Sequence, residues 1–355
     1  MKIESIIGDR KLWRVLLCAI IFNFQFSIFN LSQAQVAGLS TLTILDMSNA
    51  GRTAGLGFDY LPVYDVDLSV GIDNPSLIVK GMGGTGMLSY VSLFGGGRGL
   101  LSYGHNTKRL GTFVFSFHFN NYGSFTEYDE EENELGRFTA SDYVLSVGWG
   151  VWLDSCFSVG VNFKPVLSQY ASYTAIATVF DVAGSFTSNN RRFTASVVGR
   201  NIGAQLLTFD GTVERLPFEL SAAMSYKLVG APFRFYFAAT ELQRWDLRYD
   251  DPFNPTTVVD PFTGEVSGES WLEGTLDNLL RHTLLGVEIS LGRSLFARVG
   301  YSYRQNAEMR GVDAFNLSGF SFGVGLRTKR FEFSFAHRDY HLSQAPNYLT
   351  LSYRF

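Results

Sequence analysis

Gly81-Met82-Gly83-Gly84-Thr85-Gly86 has the G-x-G-x-x-G spacing that lets a backbone close on a pyrophosphate. That chemistry needs a strand before the motif and a helix after it, with the helix N-terminus facing the phosphates. Here a strand-like alternation follows instead, so the glycines read as a hinge. His337-Arg338-Asp339-Tyr340-His341 offers two imidazoles and a carboxylate to a metal or a hydrolytic centre. On a strand end the two histidines share a face but sit far apart, and no third ligand is evident. Asp129-Glu130-Glu131-Glu132, with Glu127 and Glu134, could hold Ca²⁺; the competing reading is a solvated, self-repelling loop tip. Asp65, Asp67 and Asp73 lack the spacing and the glutamate of an EF-hand loop and read as caps of tight turns. No set of residues reads as catalytic, and none calls for a cofactor or a metal.

The elements that would carry these residues alternate with a period of two from Thr85 to Phe355. Phe113, Phe115, Phe117 and Phe119 alternate with Val114, Ser116 and His118. Phe320, Phe322, Val324 and Leu326 alternate with Ser321, Gly323 and Gly325. One face is apolar and aromatic; the other is Gly, Ser and occasional charge. A soluble sandwich would turn its apolar face inward and carry many Lys and Glu outside. A small, sparsely charged polar face suits the interior of a narrow barrel, with the large apolar face against lipid.

The composition agrees. Charged residues are 17% and aromatics 15% of 355 residues, with 36 Gly, which excludes disorder. Lys plus Arg (29) are outnumbered by Asp plus Glu (33), so no nucleic-acid partner is expected. After the first 34 residues no run approaches the roughly 18 apolar residues of a helical span.

Fourteen strands are expected, with short connections after even-numbered strands and the long ones after odd-numbered strands, where Gly95–Gly97 and Ser168–Ser172 are short exceptions. The long ones are Tyr122–Gly136, Ile202–Leu216, Trp245–Leu280, Gln305–Leu317 and Asp339–Pro346. This is the outer-membrane pattern, with short periplasmic turns and long outer loops. The expected fold is therefore all-β, a fourteen-stranded antiparallel transmembrane β-barrel in the outer membrane. Residues 1–34 read as a signal peptide: a basic flank at Arg10, Lys11 and Arg14, an apolar run, and Ser32-Gln33-Ala34 as cleavage site. Residues 35–84 do not alternate and are expected as a plug in the lumen of the barrel, 85–355. The end of the chain, with Tyr353 and a terminal Phe355, has the form of the signal that barrel-assembly machinery recognises.

Several stretches resemble one family. In the plug they are Ala50-Gly51-Arg52-Thr53-Ala54-Gly55-Leu56-Gly57, Asp65-Val66-Asp67-Leu68-Ser69 and Asn74-Pro75-Ser76-Leu77. In the barrel they include Gly136-Arg137-Phe138-Thr139-Ala140-Ser141-Asp142-Tyr143 and Lys164-Pro165-Val166-Leu167-Ser168-Gln169-Tyr170. They are similar to the PorQ family of Bacteroidota, outer-membrane components of the type IX secretion system. That family lies within the wider group of barrels typified by the fatty acid transporter FadL. The resemblance implies a FadL-like barrel with Arg52, Asp65, Asp67, Asn74 and Pro75 as a structural plug motif. It also implies a non-enzymatic docking role, holding a PorZ-like surface protein beside a PorV barrel and a PorU sortase-like protease. Phe253, Phe262 and Trp271, in the longest and Pro-rich outer loop, are the candidate anchors for such a partner. The alternative is a FadL-like channel for hydrophobic small molecules, since a fold alone does not establish a function.

Overall fold

The computed structural model describes residues 40–93, 95–248, 257–259, 266–268, 270–308, 317–338 and 346–355. The expected signal peptide, Phe253, Phe262 and Asp339 to His341 lie outside them. In chain order the strands are β1 (Thr85–Leu93), β2 (Gly96–Thr107), β3 (Gly111–Tyr128), β4 (Glu134–Trp152) and β5 (Phe157–Tyr170). Then come β6 (Tyr173–Thr187), β7 (Phe193–Leu207), β8 (Glu219–Lys227), β9 (Phe233–Ala239), β10 (Thr257–Val259) and β11 (Val266–Gly268). The last are β12 (Thr283–Leu291), β13 (Leu295–Ser302), β14 (Phe320–Arg327), β15 (Phe331–Arg338) and β16 (Asn347–Arg354).

All but β10 and β11 form one closed barrel of fourteen strands, each antiparallel to its neighbours, and β1 pairs with β16 to seal it. Closure leaves no strand edge unpaired, which a lipid environment requires. Inward positions are buried and outward ones exposed along each strand, as in the alternation of β16. The exposed side carries Leu88, Leu101, Phe115, Phe117, Leu145, Phe235, Leu285, Phe322, Phe333 and Leu351. This apolar belt on a closed antiparallel barrel places the protein in the outer membrane.

Two stretches depart from expectation. Tyr122–Gly136, expected as a loop, is mostly hairpin: β3 and β4 run on to a tip at 129–133. A bulge between Asn121 and Ser124, with Gly123 at φ 93°, redirects the strands without ending them. The Trp245–Leu280 loop carries the short β10–β11 hairpin and a helix next to β12.

Residues 40–84 lie within the barrel. They hold helix α1 (Gly51–Gly55), helix α2 (Leu68–Asp73) and 3-10 turns at Thr43–Asp46, Pro75–Leu77 and Lys80–Met82. Leu56, Phe58, Leu61, Leu68, Leu77 and Met82 pack with inward residues Leu100, Val114, Val198 and Leu284 as a core between plug and wall. Contact is close enough to require glycine. A Cβ on Gly55 of α1 would stand 2.9 Å from the Cα of Gly323 in β14. One on Gly160 in β5 would fall on the Pro75 carbonyl. The inner wall is thus less uniformly polar than the alternation suggested, since Leu100, Val114, Val198 and Leu284 face inward and meet the plug's apolar side chains.

Candidate functional site

The plug is held by a buried ion network toward the short-turn end. The Arg52 guanidinium, 4% exposed, donates to Asp65 (2.7 Å), Asp67 (3.2 Å) and Glu288 (3.1 Å). Glu288 of β12 also accepts from Arg298 (2.8 Å) of β13, and Asp65 from Arg327 (3.1 Å) of β14. Burial opposes the charge on Asp65, but Arg52 and Arg327 hold its carboxyl well below the usual carboxylate range. Asp67 also caps α2, accepting from the Ser69 amide at 3.0 Å. Asn74 accepts from the Ser76 amide and hydroxyl, which sets the turn that presses the Pro75 carbonyl against Gly150 and Gly160. Of the plug residues singled out by resemblance, Arg52, Asp65 and Asp67 meet in one network, while Asn74 and Pro75 act at a separate contact.

Toward the long-loop end the arrangement differs. The turn Thr43–Asp46 puts Leu42, Ile44 and Leu45 against Val144, Val166, Ala177 and Val179, inward residues of β4 to β6. Next to it lies a cavity of about 30 Å³, room for one or two waters. Its walls include Asp73, Arg98, His118, Lys164, Asp181 and Arg200. Lys164 pairs with Asp181 at 2.7 Å, and Arg200 with Glu219. Arg98 instead donates to Asn49 Oδ1 at 2.7 Å and meets His118 Nδ1 at 3.3 Å. Burial pushes the Asp73 carboxyl up to about 7, against the hydrogen bond from Asn49. Burial likewise raises Asp46 to about 7, against the attraction of Arg200.

The barrel wall beside this cavity is irregular. The β4–β5 ladder skips Leu145 and Ser146 opposite Pro165 and Lys164, where proline has no N–H to give. One strand further, β6 and β7 slip register between Phe180 and Val182. There Asn201 adopts φ 57° and its amide donates to Asp181 at 2.9 Å.

The remaining sequence candidates scatter. Gly84 takes φ 75° and its amide donates to the Gly104 carbonyl at 2.8 Å, and β1 follows directly. Asp129 accepts from the Asn133 side chain and from the Asn133 and Glu131 backbone amides, tying up the acidic hairpin tip, and these bonds, the Asn133 side chain foremost, lower its pKa. His337 Nδ1 lies 2.9 Å from Asn347 Oδ1. Among the described residues no group of three or more His, Cys, Asp or Glu could hold a metal. Tyr353 lies between Phe331, tilted against it, and Phe355, which meets it edge-on, and the Phe355 amide donates to the Gly84 carbonyl at the barrel seam. Trp271 stands on the outer rim, 82% exposed. The partners of Arg52 and the apolar wall at Val144 were not anticipated, and only the inward-register valines hinted at the latter.

The sequence matches no family model and no curated protein. Its fold is similar to that of solved structures. One is titled "Crystal structure of the P. putida toluene transporter TodX", with TM-score 0.52, 9% identity, 87% of this chain and 99% of that one. Another is the "TodX deltaS2S3 mutant monoaromatic hydrocarbon channel", with TM-score 0.51, 11% identity, and again 87% and 99% coverage. The chain shares the closed fourteen-stranded antiparallel barrel fold of these outer-membrane structures. Its architecture is shared with a hydrocarbon channel, which overturns the expected docking scaffold of a secretion complex.

Proposed function

We propose that the protein is an outer-membrane channel for small hydrophobic molecules, closed here by its plug. The observation that carries this is the apolar inner wall at Val144, Val166, Ala177 and Val179, covered by Leu42, Ile44 and Leu45. A plug that only seals a barrel could do so with polar contacts, as this one does at Arg52. An apolar wall at the outer mouth offers a hydrophobic molecule a favourable surface once the first turn moves aside. That turn is lightly tied: Leu42 sits at φ 61°, and the Thr41 amide donates to the Arg215 carbonyl of the outer loop. The interrupted ladders beside the cavity support a path onward through the wall toward lipid. Kinship with the PorQ family, suggested by the plug and loop motifs, is kept as a proposal about descent alone.

Uptake of a radiolabelled monoaromatic hydrocarbon should rise when the chain is expressed in cells lacking a channel of this kind. Val144→Lys with Val166→Lys should abolish the gain while heat-modifiable migration shows a folded barrel. Uptake no better than in the empty host, at normal barrel level, would refute the channel.

A further inference from the structure

Helix α3 (Trp271–Arg281) wears its apolar face outward. Leu272, Leu276, Leu279 and Leu280 form one stripe at i, i+4, i+7 and i+8, and all are exposed, Leu272 by 59%. Gly274 and Asn278 are the buried positions, on the opposite face. Asn278 donates to the Trp245 carbonyl at 2.6 Å and accepts from the Leu247 amide at 2.9 Å, and Asp277 accepts from Tyr303 at 2.7 Å. A helix at a water-exposed rim does the reverse and turns its leucines toward the protein.

The position of the helix says what covers the stripe. Leu279 and Leu280 lead through His282 into β12, whose outward residues begin with Leu285, 49% exposed, in the lipid-facing belt. The wall is low here. Strands β8, β9, β12 and β13 have 9, 7, 9 and 8 residues, against 18 and 19 for β3 and β4. At a barrel tilt, 7 to 9 residues rise roughly 18–23 Å, short of the apolar band of about 25 Å that such barrels present. We infer that α3 lies in the outer leaflet of the membrane, its leucine stripe among lipid acyl chains, completing the lipid-facing belt on the low side of the barrel. Trp271 and Trp245, both exposed at this rim, sit where interfacial aromatics are found. The capping box between Ser270 and Glu273 lets the helix start at the interface without help from other elements.

The test places an environment-sensitive fluorophore at Leu276→Cys in the full chain, with Cys18 and Cys156 replaced by Ser. The protein is folded into phosphatidylcholine vesicles with or without brominated acyl chains. An interfacial helix sits about 5–10 Å into the headgroup and acyl boundary, so brominated lipid should cut emission roughly twofold and aqueous iodide should do little. A label at Glu273→Cys, off the stripe, should respond less to bromine and more to iodide. Strong iodide quenching at Leu276 would overturn the inference, leaving the stripe in water. Protection from both quenchers would overturn it too, since protein would then cover the stripe, residues 249–269 or a second copy. If the Leu276 variant does not fold, Leu279→Cys carries the same measurement.

Discussion

Replacing Arg52 by Met is the sharpest test of how the plug is held. Its guanidinium serves three carboxylates, and their dependence on it is unequal. Glu288 keeps Arg298 at 2.8 Å and Asp65 keeps Arg327 at 3.1 Å. Asp67 is left with the Ser69 amide and no other ion pair among the described residues. Removing one partner of a buried pair costs about 3–5 kcal/mol, mostly as the charge left behind. Because two of the three acceptors keep a cation, the low end applies, about 3 kcal/mol, or roughly a hundredfold in the docked-to-undocked ratio. Hydrogen exchange with mass spectrometry on the protein in bilayers reads this directly. Amides of α1 such as Ala54, bonded to the Ala50 carbonyl, should exchange roughly a hundredfold faster, while barrel amides stay unchanged. Adding Asp67→Leu should restore part of the protection, because no uncompensated charge then remains. Protection within a factor of about three of the parent would refute the network as the latch and leave the apolar core in that role.

Gly160→Ala should loosen the plug by about 1–3 kcal/mol, since the new Cβ meets the Pro75 backbone, which cannot rotate away; unchanged exchange at Leu77 and Ile78 would count against it. Asp73 has its carboxyl raised by burial to about 7 from 3.8, so its protonated form favours the docked plug. Plug protection should therefore fall as pH rises from about 4 to 7 and level off above, and Asp73→Asn should flatten that slope; an equal slope in the variant would refute the assignment. Deleting Phe355, which meets Tyr353 edge-on and bonds Gly84 across the seam, should lower the amount of heat-modifiable barrel in the outer membrane. Normal levels would remove its role in assembly.

The barrel was legible because its signal is local and repeats: each strand states its two faces within a few residues, as Phe113 to Phe119 do. The low-contrast stretches were misread for an equally local reason. Gly123 and Gly136 look like the ends of a loop, yet they are bends within a hairpin. Helix α3 had its signature in plain sight, Ser270 three residues before Glu273 and leucines at helical spacing, but sat inside a segment read as a loop. The plug's latch could not be read at all. Arg52 finds Glu288 across 236 positions of chain, and nothing local in either segment names the other.

The seat of α1 has a consequence for chronology. This helix lies near the start of the chain, but its neighbours are β14, β15 and β16, the last strands made. The Gly51 amide donates to Thr350 of β16, and Gly55 rests on Gly323 of β14. Residues 40–84 pack closely against the wall, at Gly55 and Pro75 with backbone nearly touching backbone. The seat of α1 is therefore complete only once β14, β15 and β16 are in place, so docking of this early segment belongs with the closing of the β1–β16 seam.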